Sequence, residues 1–579
     1  MMSLTVRVAT PSRPNSLFKW ETLLIGAILV IAALAHGVNM FHFPSYSEDE
    51  GTYMSQAWAV VHEGKLAPYI YVYDHAPAGW LQIALWTLAS GGFHTFGMII
   101  NSGRVFMLLI QVCSTFVLYL IARNISQNTM IAAVVSFLFA LSPYGLYYHR
   151  LVLLDNICTM WMLLSIFPLV TRRIPLKHVW FSAIALSLSI LSKEVAVFVV
   201  PAMAYLVYYQ VDHHHRWFAV IGWLTILFTL VSLYPLMALL KHELFPTSTL
   251  LVGNPPHVNF IGMVLYNASR GKDGGLFDIH SAFWQMTAMW VQDDPTLVIG
   301  GSLSAILATF AIRRYRLPGI MGIMTLSLWL FLGRGGLISS FYLIPALPLL
   351  TLNVGLLLWL VTKNGHTLVG VMGIITLSLC LFLGRDGEIL GFSLLPALSW
   401  LLPTIVLLLW LGDTLGKYVH VRQRMINRCA QVLLIAFFLV GMLIGYTSPS
   451  LGFQEDHLAL WNSSPTTGEE QAVMWIQHHI PANSYLLIDN FMWADLHDTG
   501  NTLKIYRFAY DYWKVENAPI LQVDTLHNDW RKVDYVITTL SMQGDAYTNH
   551  LLAENVINHS TLVAKFDTGW SIEIRRVNK

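Results

Sequence analysis

The chain is organised around one acidic stretch, Phe43-Pro44-Ser45-Tyr46-Ser47-Glu48-Asp49-Glu50-Gly51-Thr52-Tyr53. It places three consecutive carboxylates directly after the first apolar run of the sequence. A charge at the edge of the hydrocarbon costs about a few kcal/mol unless it faces protein or water. Acids at this position therefore predict either a functional site or a solvated helix end, and the residue types alone leave the two interpretations balanced.

The composition is that of a membrane protein with many spans. The 579 residues are 55% hydrophobic and 12% charged, and the mean hydropathy is +0.56, which is too apolar for a soluble protein of this size. The net charge of +1 gives no indication of nucleic-acid binding. The four cysteines lie in or beside apolar runs without a CxxC motif, so neither a disulfide framework nor a zinc site is predicted.

Basic clusters set the predicted orientation. Arg7, Arg13 and Lys19 precede the first span, residues 22–41, so the positive-inside rule places the amino terminus in the cytoplasm. This run is as long as a full span and lacks a small-residue cleavage site, so no cleavable signal is predicted. Counting about thirteen transmembrane helices puts every later basic cluster on the cytoplasmic side. Residues 80–90 then form an interfacial helix inside a large first external loop, residues 42–101, because counting them as a span would reverse all later loops.

Two further features divide the chain. Residues 322–334 recur as residues 373–385, an offset of 51, which predicts a duplicated helical hairpin at residues 319–361 and 370–412. After residue 448 the pattern changes to an amphipathic helix at 468–480 and strands at 485–490, 534–539 and 570–577. We therefore expect a polytopic α-helical membrane domain, residues 1–447, followed by a soluble α/β domain, residues 448–579, that lies outside the cytoplasm.

The predicted orientation gathers acids and bases on the external face. The first loop and the following helix ends contribute Glu48, Asp49, Glu50, Tyr53, Asp74, His75, Arg104, His149, Arg150, Asp155, Asn156, Lys193 and Glu194. Cations at this interface favour a lipid phosphate. A desolvated carboxylate with a raised pKa accepts a proton from a hydroxyl group. Together these residues predict chemistry on a lipid-linked phosphate.

In their order and shared sidedness, these motifs resemble those of the membrane-embedded GT-C glycosyltransferases. They are Asp49-Glu50-Gly51-x-Tyr53, Tyr73-Asp74-His75-Ala76-Pro77, Arg104 in the second span, Arg150 with Asp155-Asn156, and Leu191-Ser192-Lys193-Glu194. The branch they resemble most contains the dolichyl-phosphate-mannose protein mannosyltransferases and the bacterial lipid A aminoarabinose transferase. The resemblance covers residues 20–240, and residues 341–348 echo a later segment of the family.

The resemblance implies an inverting transfer of one sugar from a polyprenyl-phosphate donor to an acceptor outside the cytoplasm, by an integral protein of the cell membrane. Asp49 matches the general base, Glu50 lies beside it, and Asp155 matches the second acidic position. Lys193, with Arg104 or Arg150, matches the phosphate-binding cations, and Glu194, Tyr53 and His75 match contacts to the sugar or phosphate. No redox or nucleotide cofactor is implied. The pair Asp49 and Glu50 leaves a divalent cation open without defining its site, and the acceptor, whether protein, lipid or glycan, is also left open.

Other interpretations of the same residues remain at this stage. Asp49 could cap its helix, Arg150 could pair with Asp155, and Lys193 with Glu194 could be a plain interfacial ion pair. At the level of function, a multi-pass transporter or lipid flippase suits the same number of spans. That class places charges or broken helices near the bilayer midplane and often has inverted repeats. Here the charges lie at helix ends and the repeat is parallel, which favours the enzyme. A non-catalytic scaffold presenting the tail domain would need no external acids facing cations.

Overall fold

The fold is taken from a computed structural model. It describes residues 15–171, 174–246, 259–269, 274–336, 338–364, 435–446 except 437 and 444, 459–498, 504–517, 526, 529–549, 551–568 and 571–579. The second copy of the predicted hairpin, residues 370–412, and the predicted domain boundary at residue 448 lie outside the described residues.

Helices make up nearly all of the described chain before residue 365. They are α1 (Asn15–Gly37), α2 (Glu48–Glu63), α3 (Ala78–Ser90), α4 (Ile99–Ser126), α5 (Thr129–Ala140), α6 (Pro143–Tyr148), α7 (Leu154–Ile166), α8 (Leu176–Ser192), α9 (Val200–Gln210), α10 (Arg216–Val231), α11 (Leu233–Leu240), α12 (Phe260–Ser269), α13 (Ala282–Asp293), α14 (Ser302–Phe310), α15 (Arg316–Leu332) and α16 (Leu347–Asn364). Short 3₁₀ segments join several of them, among them Glu194–Val199 before α9 and Ser340–Ala346 before α16.

Several of these helices are long and apolar enough to cross a membrane. Within the described residues they are Trp20–Gly37, Ile99–Ser126, His213–Leu240, Thr296–Arg313 and Ser340–Leu360, and the shorter apolar helices are Thr129–Ala140, Leu154–Val170, Leu176–Ser192, Glu194–Gln210 and Arg316–Leu332. This is the architecture of an integral membrane protein with several spans. The total of about thirteen spans includes residues that the structure does not describe, so it stays a prediction.

The short apolar segment of the first loop is a helix, as predicted. It is α3, with 13 residues, fewer than the roughly 20 that a span needs. Trp80 and Ile83 are buried on its inner side, while Leu85 and Leu88 are exposed on the outer side. An exposed leucine face is what a helix lying along a membrane surface presents, and the position of α3 at that surface stays a prediction.

The tail of the chain contains a five-stranded mixed sheet. Its strands are β1 (Leu486–Ile488), β2 (Ala509–Asp511), β3 (Tyr535–Thr538), β4 (Ser560–Phe566) and β5 (Ile572–Val577), in the order β2-β1-β3-β5-β4. Strand β1 is parallel to β2 and β3, and β5 is antiparallel to β3 and β4. The helices are Ala459–Asn462, Thr467–His479, Trp493–His497, Tyr512–Asn517, Leu540–Asn549 and Leu551–Asn558. We refer to residues 459–579 as the tail domain.

The predicted helix and the three predicted strands are present, and the structure adds β2 and β4. Strand β2 (Ala509–Asp511) is short and ends in a charged residue, so the sequence has no apolar run there. Strand β4 lies at an edge of the sheet, and most of its side chains are exposed or partly exposed. Neither strand therefore has the buried apolar run that identifies β1 and β3.

The tail domain packs directly on α2. Gly51 faces the backbone of Asn490 and Phe491 so closely that a β-carbon built on Gly51 would collide with both. Next to it, the Asn490 side-chain amide donates a hydrogen bond to Thr52 Oγ1 at 2.6 Å. Two turns further along, Trp58 packs edge-on against Trp493, with 5.4 Å between ring centroids. The glycine of the acidic motif is therefore explained by a backbone crossing.

Two more contacts tie the tail domain to the start of the helical part. The Tyr46 backbone N–H donates to Glu469 Oε2 at 3.0 Å, and the Tyr46 hydroxyl donates to Glu470 Oε1 at 3.2 Å. At the first residue of α4, the Ile99 N–H donates to Asp495 Oδ1 at 3.1 Å. The bonds from the Tyr46 and Ile99 N–H groups satisfy backbone donors at the entrances to α2 and α4 that have no partner within the helices.

Gly51→Ala is expected to weaken this packing. The added methyl group must displace the backbone of Asn490, and overpacking of this kind costs about 1 to 3 kcal/mol, more than the helix propensity that alanine adds. Thermal unfolding of the purified protein should show a lower Tm than wild type. Gly544→Ala in the tail domain is the control, because a β-carbon there meets no atom within 4 Å. Equal Tm values for the two variants would contradict the crossing.

Candidate active site

One cavity of about 600 Å³ brings the acidic helix, three helix ends and the tail domain together. Its lining residues are Glu48, Asp49, Thr52, Tyr53, Gln56, Val72, Asp74, His75, Trp80, Asp155, Lys193, Glu194, Val195, Phe198, Met263, Asn267, Phe331, Arg334, Tyr342, Trp513 and Lys514. Six predicted site residues lie in this set, namely Asp49, Tyr53, His75, Asp155, Lys193 and Glu194. The structure therefore places these six around one space.

Asp49 occupies the first turn of α2, which points its side chain into the cavity. Ser47 caps the helix, and its side chain accepts a hydrogen bond from the N–H of Glu50. Acids in a first turn are stabilised by the helix dipole. Among the described residues, the Asp49 carboxylate has no hydrogen-bonded or ion-paired partner. The helix therefore fixes the position of Asp49, and its carboxylate oxygens can accept a hydrogen bond from a molecule bound in the cavity.

The surroundings of Asp49 hold its pKa above the ordinary value for an aspartate. Burial is the largest cause, because it disfavours the charged form. The nearby charge of Lys193 acts in the opposite direction, and those of Asp155 and Asp74 add to the rise. A carboxylate of raised pKa without a partner is a stronger base than a free aspartate.

The other acid of the site is paired. Asp155 Oδ2 lies 3.3 Å from Lys193 Nζ, and both side chains are almost fully buried. The same ammonium lies 3.2 Å from His75 Nε2. His75 Nδ1 is 2.9 Å from Glu194 Oε2, an arrangement that suits an Nδ1–H donor and leaves Nε2 to accept from Lys193. The result is a continuous row of Asp155, Lys193, His75 and Glu194 that fixes one cation at the cavity wall.

Aromatic rings complete the surroundings of that cation. Lys193 Nζ lies 5.6 Å from the ring centroid of Phe341 and 5.5 Å from that of Tyr342. Tyr53 lines the cavity from α2 with only 4% of its surface exposed, and burial raises the pKa of its phenol well above the usual value. Tyr53 therefore stays a neutral hydrogen-bond donor at any ordinary pH.

Glu50 and Arg104 do not line the cavity, and their predicted roles as catalytic acid and phosphate ligand do not fit their positions. They pair with each other, with Arg104 Nε 2.9 Å from Glu50 Oε1 and Nη2 2.8 Å from Oε2. Arg104 Nη1 and Nη2 also donate to the carbonyls of Met40, Pro44 and Ser45. With five such bonds, every N–H of the guanidinium is used.

Glu50 is equally occupied. Besides the pair with Arg104, it accepts the N–H of Ser47 at 3.1 Å and that of Val152 at 3.0 Å. The spacing Ser47-x-x-Glu50 is that of a capping box, so this role could have been read from the sequence. Because the oxygens of Glu50 are taken, the divalent cation considered for Asp49 and Glu50 does not fit there. Among the described residues no group of three or more His, Cys, Asp or Glu side chains is arranged to hold a metal ion.

Arg150 also lies outside the cavity lining. Its guanidinium donates to the carbonyls of Ala35 at 2.8 Å, Leu460 at 3.1 Å and Phe43 at 3.4 Å, and it lies 5.7 Å from the ring centroid of Trp461. The alternative that Arg150 pairs with Asp155 is wrong, since Asp155 pairs with Lys193. Arg150 instead joins α1, the first loop and the tail domain.

The cavity also contains residues that the sequence reasoning did not select. Thr52 and Gln56 follow Glu48 at intervals of four along α2 and so share its face, a signal that was available. Trp513 and Lys514 come from the tail domain, more than four hundred residues away. Their proximity to Asp49 carries no local signal in the sequence.

The geometry can be compared with known proteins. Residues 75–238 match the family model described as dolichyl-phosphate-mannose-protein mannosyltransferase, a segment of less than a third of the chain that contains His75, Asp155 and Lys193. No curated protein sequence matches the chain significantly.

Solved structures match over nearly the whole length. ArnT from Cupriavidus metallidurans bound to undecaprenyl phosphate has a TM-score of 0.55 at 14% identity, covering 96% of this chain and 98% of that chain. Its apo form has a TM-score of 0.51 at 13% identity, covering 97% and 98%. The oligosaccharyltransferase AglB from Archaeoglobus fulgidus has a TM-score of 0.49 at 11% identity, covering 97% and 74%.

At such low identity the match to ArnT shows the fold. The chain has the fold of the GT-C glycosyltransferases, as its motifs predict.

The neighbouring acids Asp49 and Glu50 should respond differently to loss of charge. Glu50→Gln leaves the Arg104 guanidinium buried without its counter-charge, which costs about 3 to 5 kcal/mol, so the yield of folded protein and its Tm should fall. Asp49→Asn breaks no pair and should unfold close to wild type. Thermal unfolding of the two purified variants, side by side, measures the difference. A Glu50→Gln protein as stable as Asp49→Asn would disprove the structural role of the ion pair.

Proposed function

We propose that the chain is a glycosyltransferase that moves a sugar, with inversion, from a polyprenyl-phosphate donor to an acceptor hydroxyl outside the cytoplasm. The observation that carries the proposal is the pairing pattern in one cavity: Asp49 has an available carboxylate, and Lys193 is a fixed cation. Available base and fixed cation are the two groups that a hydroxyl nucleophile and a phosphate leaving group need.

In this reaction the acceptor oxygen attacks the anomeric carbon on the side opposite the phosphate. The bond from the anomeric carbon to the phosphate oxygen breaks, and its electron pair stays on the polyprenyl phosphate. The proton of the acceptor hydroxyl goes to the Asp49 carboxylate. The products are a glycoside of inverted configuration and a polyprenyl phosphate, so atoms and charge balance without a redox or nucleotide cofactor.

Lys193 stabilises the charge that develops on the departing phosphate. Asp155 and His75 hold its ammonium on both sides, so it needs little reorganisation during the step, and a preorganised charge of this kind contributes about 3 to 4 kcal/mol in well-studied cases. Glu194 acts through His75, whose ring it orients. Tyr53 donates a hydrogen bond to the sugar or phosphate.

The donor side of the cavity suits a lipid. Val195 and Phe198 line it from the 3₁₀ segment before α9, and Phe331 lines it from the end of α15. Phe198 is 39% exposed, so the apolar wall continues to the protein surface. A polyprenyl chain can therefore lie outside among apolar side chains while its phosphate reaches Lys193.

The position of the charged site residues at helix ends favours an enzyme over a transporter. Asp49 and Asp155 lie in first turns, and Lys193 follows the last residue of α8. A transporter is expected to place such groups near the middle of the bilayer. We assign the protein to the cell membrane, with a cytoplasmic amino terminus and an external tail domain, in accordance with the distribution of basic residues.

Asp49→Asn should abolish transfer. Losing the general base lowers the rate by about 10² to 10⁴, measured as release of polyprenyl phosphate from a polyprenyl-phosphate sugar by the full-length protein in nanodiscs. Glu63→Gln is the matched control, because Glu63 is the last residue of the same helix and does not line the cavity. Full turnover by Asp49→Asn would remove Asp49 from the mechanism.

The pH profile should report the raised pKa of Asp49. The base works only when deprotonated, so kcat/KM should fall as the pH drops through that pKa, at a pH above the ordinary aspartate value of about 3.9. Lys193 lowers the pKa of Asp49, so Lys193→Met should move the acid limb to higher pH, whereas Lys193→Arg should move it little. An acid limb that stays in place in Lys193→Met would show that another group is titrating.

A further inference from the structure

The cavity has a second wall that the proposed chemistry does not use. Glu48, Thr52 and Gln56 form one face of α2, and Trp513 and Lys514 of the helix Tyr512–Asn517 lie in the same lining. Lys514 Nζ is 4.7 Å from the centroid of the Trp513 ring, so the two side chains form one unit. This wall includes the residues that the tail domain contributes to the cavity.

One residue of this wall has an unmet hydrogen-bonding group. Gln56 has only 9% of its surface exposed, and its Oε1 has no hydrogen-bond partner among the described residues. A buried amide oxygen without a partner costs about 1 to 3 kcal/mol. Gln56 also lines the small adjoining cavity that Lys514 shares. A hydroxyl or N–H group of a bound ligand could donate a hydrogen bond to this oxygen.

The wall offers several chemically different groups. It carries a carboxylate, a hydroxyl, an amide, an ammonium and an indole. The hydroxyl of Thr52 is already oriented by Asn490. A ligand with many hydroxyl groups on an apolar ring skeleton matches such a surface, because each hydroxyl both donates and accepts, while the indole covers C–H faces.

An extended peptide fits less well. Peptides commonly bind by adding a strand to an open sheet edge, and β2 is the edge strand that leads into Trp513. The Tyr69 hydroxyl occupies that edge, since it lies 3.5 Å from the Ala509 carbonyl oxygen and 3.4 Å from the Asp511 nitrogen. The edge beside the cavity is therefore covered by the protein itself.

We propose that Gln56, Glu48, Trp513 and Lys514 form the acceptor subsite and that the acceptor group bound there is a saccharide. This inference rests on the proposed function and names the class of acceptor. The tail domain is then part of the specificity of the enzyme, because it supplies half of the subsite.

Binding can be tested apart from turnover. Lys514→Cys in the full-length protein is labelled with a maleimide, above the background of the parent protein, with and without methyl α-mannoside, methyl β-glucoside and methyl β-galactoside. At least one glycoside should slow labelling, and a serine- and threonine-containing hexapeptide should not. Lys565→Cys, in the same domain and outside the cavity lining, should label at one rate throughout. Adding Gln56→Leu should abolish the protection.

Turnover separates this inference from the proposed function. With the protecting sugar as acceptor, Gln56→Leu and Trp513→Ala should raise its KM by about tenfold, the effect of one lost contact of about 1.4 kcal/mol. Lys565→Ala, in the tail domain and outside the cavity lining, should keep the wild-type KM and the wild-type release of polyprenyl phosphate. A glycolipid carrying the same sugar, placed in the nanodisc, distinguishes a membrane-bound acceptor from a soluble one by its lower KM.

The contrary outcomes are distinct. Protection by the hexapeptide alone, protection by none of the probes, or protection that survives Gln56→Leu would overturn the saccharide subsite and leave the glycosyltransferase standing. Saccharide protection in a protein that releases no lipid phosphate from any polyprenyl donor would instead overturn the proposed function.

Discussion

The buried ion pair between Arg104 and Glu50 is the constraint on which the rest of the site depends. Both side chains are fully buried, and such a pair is stable only when the remaining donors and acceptors are also satisfied. The carbonyls of Met40, Pro44 and Ser45 and the N–H groups of Ser47 and Val152 do this. The pair thereby holds α2 against α4 and against the segment around Val152 that leads into α7. Asp49 lies on α2 and Asp155 lies on α7.

Helix α2 is shared by three environments. Glu50 faces the ion pair, Gly51 faces the tail domain, and Asp49 faces the cavity, so three consecutive residues point in three directions. The crossing at Asn490 joins the tail domain to the helix that carries Asp49. This gives a physical reason for a docked tail domain, and it explains why the acidic motif contains a glycine.

Two of the acids that line the cavity, Asp49 and Asp155, differ in their surroundings. Asp155 pairs with Lys193, whereas Asp49 has no hydrogen-bonded or ion-paired partner within the described part of the chain and carries a raised pKa because of burial. Two carboxylates of the same chemistry thus differ in state, because one is paired with a cation and the other has a raised pKa. His75 connects the pair to Glu194, so the cation is held from both sides without a metal ligand set.

Composition and the order of motifs in the sequence were sufficient to predict the fold class and the gathering of Asp49, Asp155, Lys193 and His75. Apolar length and the bias of basic residues are local properties of the sequence, and counting the spans then shows which loops lie on the same side of the membrane. The capping-box spacing around Ser47 also carried the structural role of Glu50. Only the tertiary structure decided that Arg104 and Arg150 satisfy buried carbonyls and that Gln56, Trp513 and Lys514 border the cavity. These outcomes depend on which groups meet across long sequence separations. A buried cation pairs with the hydrogen-bond acceptors that folding brings next to it, and no local sequence pattern identifies those acceptors.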